Sequence, residues 1–335
     1  MSLCVIVVTY NSDGVIERCL RSCGGLDVTV VDNGSTDGTV DVVRRFAAER
    51  AGVRWIANGD NRGFAGAVNQ AVERCAGEFI LLLNPDAELS APPWALIAAC
   101  NEAGADIAAA RLTGEDGHAQ TGFQIRRFPT ATALVFETLG INRAFPSNRV
   151  NVAYRCLDRD PEVGGEVEQP AGAFLLFRRK LWERLNGFDG RFHPIWFEDV
   201  DFCKRASDSG AKIYYFPMAG AKHVGGHSVN SIGWEWRELH WCGSLLKYAS
   251  KHFRPLERRV VGLAVAAGSL FRTLITICRR RSLKPFAVYR QVLRLAARCM
   301  FAGAAGGKGS GANGAGKLDE FKQPDIGNKK RLHVQ

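Results

Sequence analysis

The chain has 335 residues, 46% of them hydrophobic and 23% charged, and a formal net charge of +10. That length holds one large domain or two smaller ones with proper cores. Residues 251–300 carry twelve Lys and Arg against the single acid Glu257, whereas 1–250 hold 26 basic and 30 acidic residues, so the basicity is excluded from the main body. The ten cysteines include no CxxC pair, the nearest two being Cys19 and Cys23, so zinc-ligand spacing is absent and the thiols read as reduced and cytosolic.

The first hundred residues alternate apolar runs with helical patterns. Leu3–Val8, Val28–Val31, Val53–Ala57 and Phe79–Leu83 read as strands, and no charged leader precedes the first. Helical stretches are expected near 15–23, 38–49, 65–75 and 92–103. This alternation implies βαβ units and a parallel sheet buried on both faces. Ligands bind at the carboxyl ends of such strands, which is where Asp32 and Asp86 fall. Further on, Ala171–Arg178 and Ile213–Phe216 read as strands and Val200–Asp208 as a helix. The polar segment 112–168 is the hardest to read.

After Pro255, Val260–Phe271 and Thr273–Cys278 are apolar, broken by Arg272 and closed by Arg279-Arg280-Arg281. Arg290, Arg294 and Arg298 then alternate with Val288, Val292, Leu295 and Ala296 at helical spacing. The apolar run falls short of the roughly 20 residues of a membrane span. A pair of basic amphipathic helices on an anionic membrane surface is expected, the alternative being a hairpin packed on the body. No nucleic-acid motif accompanies the basic block. Gly303–Gly316 reads as a flexible tail whose literal GxGxxG lacks a preceding strand and is a false dinucleotide signal.

Several constellations carry possible chemistry. In Asp32-Asn33-Gly34-Ser35, the carboxylate can accept hydrogen bonds from a nucleobase or ribose, or simply hold a turn. In Asn61-Arg62-Gly63-Phe64-Ala65, a helix start of small residues suits phosphate oxygens, and Arg62 either helps neutralise a diphosphate or lies on the surface. Asn84-Pro85-Asp86 follows an apolar strand, where one carboxylate and substrate phosphates can share a hard divalent cation, Mg²⁺ or Mn²⁺; the alternative for Asp86 is a helix cap. Trp196-Phe197-Glu198-Asp199-Val200-Asp201 sets three carboxylates beside aromatics, which raises pKa values toward those of a general base. On a helix, Asp199 and Asp201 point about 200° apart, so only one of them would face a site; the alternative is that these acids simply favour a helix N-terminus. His223, ahead of Gly225, Gly226 and His227, is a metal ligand or a structural hydrogen-bonder.

Taken in order, Val7-Val8-Thr9-Tyr10-Asn11, Asp32-Asn33-Gly34-Ser35, Asn61-Arg62-Gly63-Phe64-Ala65, Asn84-Pro85-Asp86, Gly172–Arg179, Gly187-Phe188-Asp189, Phe197-Glu198-Asp199-Val200-Asp201 and His223 resemble family 2 glycosyltransferases of the rhamnosyltransferase-like branch. The resemblance spans about residues 3–230. It implies the GT-A fold, an α/β Rossmann-like mixed sheet flanked by helices, over 1–250. A basic amphipathic helical region (251–302) and a Gly-rich tail (303–335) would follow. It further implies that Thr9, Tyr10, Asn11, Asp32, Asn61, Arg62, Gly63 and Asn84 contact a nucleotide-diphosphate sugar. Asp86 and His223 would hold Mg²⁺ or Mn²⁺, Asp199 would be the catalytic base, and Trp196 and Glu198 would hold the acceptor. Asn84 stands where the family's metal motif has its first acid. The implied reaction is an inverting transfer, L-rhamnose from dTDP-L-rhamnose being the favoured donor, to a saccharide or a polyprenyl-diphosphate-linked sugar in cell-envelope synthesis. The enzyme would be cytoplasmic, peripheral on the inner face of the membrane. A UDP-sugar donor, a sugar nucleotidyltransferase and a non-catalytic nucleotide-binding protein are the rivals.

Overall fold

The computed structural model describes residues 2–225, 233–280 and 284–301; the tail from 303 onward with its GxGxxG, together with Gly226 and His227, lies outside the described residues. The strands are β1 (Leu3–Thr9), β2 (Asp27–Asp32), β3 (Val53–Ala57), β4 (Phe79–Leu83), β5 (Ala87–Leu89), β6 (Ile107–Thr113), β7 (Ile125–Arg126), β8 (Gly165–Glu166), β9 (Gln169–Pro170), β10 (Phe174–Arg178) and β11 (Ile213–His223). The helices are α1 (Ile16–Ser22), α2 (Thr39–Glu49), α3 (Gly63–Arg74), α4 (Trp94–Glu102), α5 (Ala131–Thr138), α6 (Ile141–Ala144), α7 (Arg149–Tyr154), α8 (Arg179–Arg184), α9 (Glu198–Asp208), α10 (Trp234–His252), α11 (Pro255–Arg280) and α12 (Lys284–Phe301).

A nine-stranded sheet runs β3-β2-β1-β4-β10-β6-β11-β5, with β8 on β11. The first four strands are parallel, as their unbroken apolar runs require: every residue of β4 is buried, because helices cover both faces. At β10 the sheet turns antiparallel. Thr9 lies opposite Asp32 at the carboxyl ends of β1 and β2. β11 pairs with β5 in a register that sets His223 opposite Ala87, so a strand end 136 residues downstream arrives beside Asp86. Two hydrophobic clusters fill the two sides of the sheet, one around Val5, Leu81 and Leu176 and the other around Ile6, Leu82 and Phe202.

A third cluster joins α10, α11 and α12 to the body: Leu245, Tyr248, Val261, Val265, Val292 and Ala296 pack with Leu134, Phe192 and Phe197. Residues 1–301 thus form one compact unit. The interruption expected at Arg272 does not break α11. Arg272 folds inward, donating from Nη1 to the Thr138 carbonyl of α5 at 2.5 Å and pairing with Glu238 of α10 at 2.7 Å. Pro255–Cys278 is long and apolar enough to cross a membrane by length and composition alone. One side of it is packed on the body, while Leu256, Val260, Leu263, Leu270, Phe271 and Leu274 form an outward row, 44–72% exposed. On α12, Tyr289, Val292 and Ala296 are buried, and Arg290, Arg294 and Arg298 are exposed.

Candidate active site

The loop after β2 is organised by Asp32. Its Oδ1 accepts from the hydroxyls of Thr9 (2.9 Å) and Ser35, and its Oδ2 from the amides of Gly34 (3.1 Å) and Ser35 (2.9 Å). Four donors on one buried carboxylate use its acceptor capacity inside the protein. Asn11 fastens the same loop, taking the Thr36 amide on Oδ1 at 2.8 Å and donating its own amide to the Ser35 hydroxyl at 2.9 Å. Asn61 Oδ1 accepts the Gly63 amide at 2.8 Å. Gly63 has φ +74°, and an added Cβ would lie 2.7 Å from the His193 ring and 3.0 Å from the Pro194 carbonyl, so only glycine lets α3 begin against that segment.

Asp86 and His223 meet in the middle of the site. His223 Nε2 stands 3.4 Å from Asp86 Oδ1 and 3.4 Å from the Asn84 amide nitrogen, both longer than a good hydrogen bond. On its other side, Nδ1 is 2.8 Å from Gln120 Oε1, and the Gln120 amide donates to the His223 carbonyl at 2.7 Å. An oxygen acceptor at Nδ1 fixes the proton there and leaves the Nε2 lone pair facing Asp86. Phe123 stacks on the imidazole at 5.3 Å. Among the described residues no group of three His, Cys, Asp or Glu could hold a metal alone. A carboxylate, an imidazole lone pair and the Asn84 amide fit a hard divalent cation that takes its remaining ligands from substrate phosphates.

The third element is the start of α9. Trp196 (φ 76°) and Phe197 (φ 71°) are consecutive non-glycine residues in the left-handed region, a costly conformation held by the surrounding packing. That turn delivers Glu198 and Asp199 together. Asp199 accepts the Gly172 amide on Oδ2 at 2.9 Å and the Val200 amide on Oδ1 at 2.8 Å. Burial nevertheless pushes its pKa above the ordinary carboxylate value, against these amides and the charge of Arg126. An added Cβ at Gly172 would sit 3.2 Å from both Cβ and Oδ2 of Asp199, so this glycine permits the close approach. Glu198 is buried, its Oε2 has no hydrogen-bond partner among the described residues, and desolvation followed by the Asp199 charge raises its pKa well above normal. Asp201 points the other way. It is fully buried and bound by Arg205, Lys251 and His252, each at 2.7 Å, which ties α9 to α10.

These groups share one cleft of about 520 Å³, lined on its polar side by Thr9, Tyr10, Asn61, Asn84, Asp86 and His223 and elsewhere by Trp196, Glu198 and Asp199. A family profile described as "Glycosyl transferase family 2" matches residues 4–183, more than half of the chain, and ends just past β10. The chain belongs to glycosyl transferase family 2. It is therefore a glycosyltransferase, and the carboxylates at the strand ends sit in a nucleotide-sugar enzyme's fold. Over 310 residues it is 27% identical to the N-acetylglucosaminyl-diphospho-decaprenol L-rhamnosyltransferase of Mycobacterium tuberculosis, covering 84% of this chain and 96% of that protein. It is 23% identical over 240 residues to the rhamnosyltransferase WbbL of Escherichia coli, covering 68% and 85%. These relatives bear out the rhamnosyltransferase-like resemblance. Among solved structures, mannosyltransferase PcManGT from Pyrobaculum calidifontis, in complex with GDP-Man and Mn²⁺, superposes with a TM-score of 0.51 at 18% identity, covering 90% of this chain and 87% of that one. That likeness confirms the fold, a GT-A mixed sheet flanked by helices.

Within this family 2 enzyme, the cleft gathers Thr9, Tyr10, Asn61, Asn84, Asp86, Trp196, Glu198, Asp199 and His223. Asn11, Asp32 and Gly63 stand behind it, shaping loops. Arg62 lies outside, 54% exposed and 3.9 Å from Asp60. The cations that do line the cleft, Arg126 and Arg155, come from the segment the sequence left unread, as do Gln120 and Phe123. Trp236 and Trp241 of α10 complete the wall. No motif flags these residues; a polar segment between two recognisable blocks was the only hint.

Proposed function

We propose that this glycosyltransferase moves L-rhamnose, with inversion, from dTDP-L-rhamnose to a polyprenyl-diphosphate-linked sugar at a membrane surface. One observation carries the reading: a single cleft holds two acids with different partners, Asp86 facing the His223 imidazole and Asp199 held by the Gly172 and Val200 amides with a pKa raised by burial. Two such carboxylates suit two tasks, charge neutralisation and proton transfer. Asp86, His223 and Asn84 would hold Mg²⁺ or Mn²⁺ against the donor diphosphate, and the cation would supply stabilisation of the departing nucleoside diphosphate. PcManGT carries Mn²⁺, and GalNAc-T7, similarly folded (TM-score 0.51), carries UDP and Mn²⁺, which supports a divalent cation in this fold.

Thr9, Tyr10 and Asn61 would receive the nucleotide, on loops set by Asn11, Asp32 and Gly63. The attacking hydroxyl of the acceptor gives its proton to Asp199, whose oxygens stay aimed by the Gly172 and Val200 amides. Glu198, its carboxyl pushed upward by burial and by the neighbouring Asp199 charge, would hold a polar group of the acceptor. Trp196 offers an apolar face to the acceptor sugar. The names of the mycobacterial and WbbL relatives support rhamnose as the sugar, and that of the mycobacterial one supports a polyprenyl-diphosphate-linked acceptor. The outward apolar row of α11 beside the arginines of α12 suits an anionic bilayer. The test is transfer from dTDP-rhamnose, UDP-hexose, UDP-GlcNAc and GDP-mannose to a GlcNAc-diphosphate lipid, with Mg²⁺ or Mn²⁺. Transfer confined to dTDP-rhamnose is expected; preference for a UDP-sugar overturns the donor assignment and points to the same chemistry on a hexose, GlcNAc or galactofuranose.

A further inference from the structure

Two arginines of the cleft have no task in the reaction as described. Arg126 and Arg155 come from separate elements brought together by the β7–β9 ribbon. Arg126 pairs with Gln169 in that ribbon, the next amide, Arg127, donates to the Tyr154 carbonyl at 2.9 Å, and Ala171 donates to the Gln124 carbonyl at 3.0 Å. The same stretch leads directly into Gly172, which holds Asp199. The cations are thus built onto the scaffold that aims the base, not onto the Asp86–His223 pair.

Their surroundings differ. Arg155 is matched by Glu137 of α5 at 3.0 Å and by Asn151 at 3.0 Å. Arg126 donates from Nε to the Gly122 carbonyl at 2.8 Å and lies over the Phe123 ring, and makes no ion pair among the described residues. A half-buried guanidinium with no carboxylate partner in a cleft is costly to desolvate unless an anion joins it. Arg126 and Asp199 line the same cleft, and the charge of the guanidinium is felt at the carboxylate.

Apolar side chains also contribute to that wall. Leu134, on the same helix as Glu137, lines the cleft together with Trp236 and Trp241 of α10. α5 is in turn fastened to α11 by Arg272, and α11 carries the outward apolar row. Arg155, its partner helix α5 and the outward apolar helix α11 follow one another through bonded neighbours. An amphiphile with a sugar, a diphosphate and a hydrocarbon chain presents groups in that same order.

We infer that Arg126 and Arg155 form a second diphosphate subsite, separate from the donor's, which takes the diphosphate of a lipid-linked acceptor while Leu134, Trp236 and Trp241 receive the first part of its chain. This rests on the acceptor class given above. Arg126 is the principal ligand and Arg155 its support, since Glu137 already neutralises the latter. Sequence-blind as this pair was, it makes the charged linker, and not only the sugar, a specificity element.

The test uses the full chain and farnesyl diphosphate, a short alkyl diphosphate, with calorimetric binding in the presence of saturating dTDP and Mg²⁺. The wild type is expected to bind it, Arg126→Gln to bind it at least about tenfold more weakly, the loss of one charge-assisted contact, and Arg126→Lys to recover part of the loss. Farnesol should bind the variants and the wild type alike. Unchanged farnesyl diphosphate affinity in Arg126→Gln overturns the subsite. So does a parallel loss of dTDP affinity, which returns the arginines to the donor. Transfer to a GlcNAc-diphosphate lipid reports separately on the reaction: its absence with farnesyl diphosphate binding intact sinks the sugar assignment and leaves the subsite standing.

Discussion

Replacing Asp201 by Asn isolates what the link between α9 and α10 contributes. The substitution keeps the shape of the side chain and removes one charge that is fully buried among Arg205, Lys251 and His252. Breaking a buried pair by deleting one partner costs about 3–5 kcal/mol. Two of the three partners retain other acceptors: Lys251 keeps Asp189 at 2.6 Å, and Arg205 keeps the carbonyls of Leu185 and Gly187 at 2.8 Å each. The expected loss is therefore at the lower end, about 3 kcal/mol. The three partners hold the Asp201 pKa below the ordinary carboxylate value despite burial. A depressed folded pKa means stabilisation present above the unfolded value, near 4, and lost as pH falls through the folded one. Urea unfolding at pH 7, followed by tryptophan fluorescence, should show the full difference between wild type and variant, and repeating it below about pH 4 should show the difference closing. A loss smaller than about 1 kcal/mol at pH 7, or a gap that widens in acid, refutes the reasoning.

Asp199→Asn should lower kcat by about 10²–10⁴, the span of general-base catalysis, while leaving nucleotide affinity unchanged; retained turnover removes the base assignment. Because burial raises the Asp199 pKa, kcat/KM should climb with pH through a value above the ordinary aspartate range, and a profile that turns at or below about pH 4 would count against that group. Gln120→Ala frees the His223 ring, so the metal concentration for half activity should rise about 10–100-fold in a titration with Mn²⁺, and an unmoved titration removes Gln120 from the metal shell. Leu263→Glu with Leu270→Glu on α11 should shift the protein from pelleted anionic vesicles to the supernatant without changing its thermal midpoint by more than about 2 °C, since both side chains face outward; persistent pelleting ends the bilayer reading.

What was legible in the sequence follows from locality. β1, β2 and β4 announce themselves because a buried parallel strand is an unbroken apolar run, and the turn residues after each run mark the rim that binds ligands. The opposed directions of Asp199 and Asp201 come straight from helix geometry. β6, by contrast, reads Ile-Ala-Ala-Ala-Arg-Leu-Thr, small residues that suit a crowded central position and carry little strand signal. The pairing of β11 with β5 and the ring bond from Gln120 to His223 are long-range contacts, invisible to spacing. Asp32 and Arg62 stand in the motif blocks, yet their positions depend on tertiary neighbours: four donors claim the first, and the second is exposed and does not line the cleft. Arg126 and Arg155 went unnoticed because an arginine in a polar segment looks the same whether it faces solvent or a cleft.

The third hydrophobic cluster bears on how the outward apolar row of α11 could be removed. Cutting the chain near residue 255 would strip Val261, Val265, Val292 and Ala296 from Leu245, Tyr248 and Leu134, and would release the Arg272 bond that steadies α5. Such a truncation trades one apolar face for another and loosens the wall of the cleft in the process. Repainting the outer row of α11 with charge keeps the inner packing intact, and is the better route to crystals and to solution kinetics.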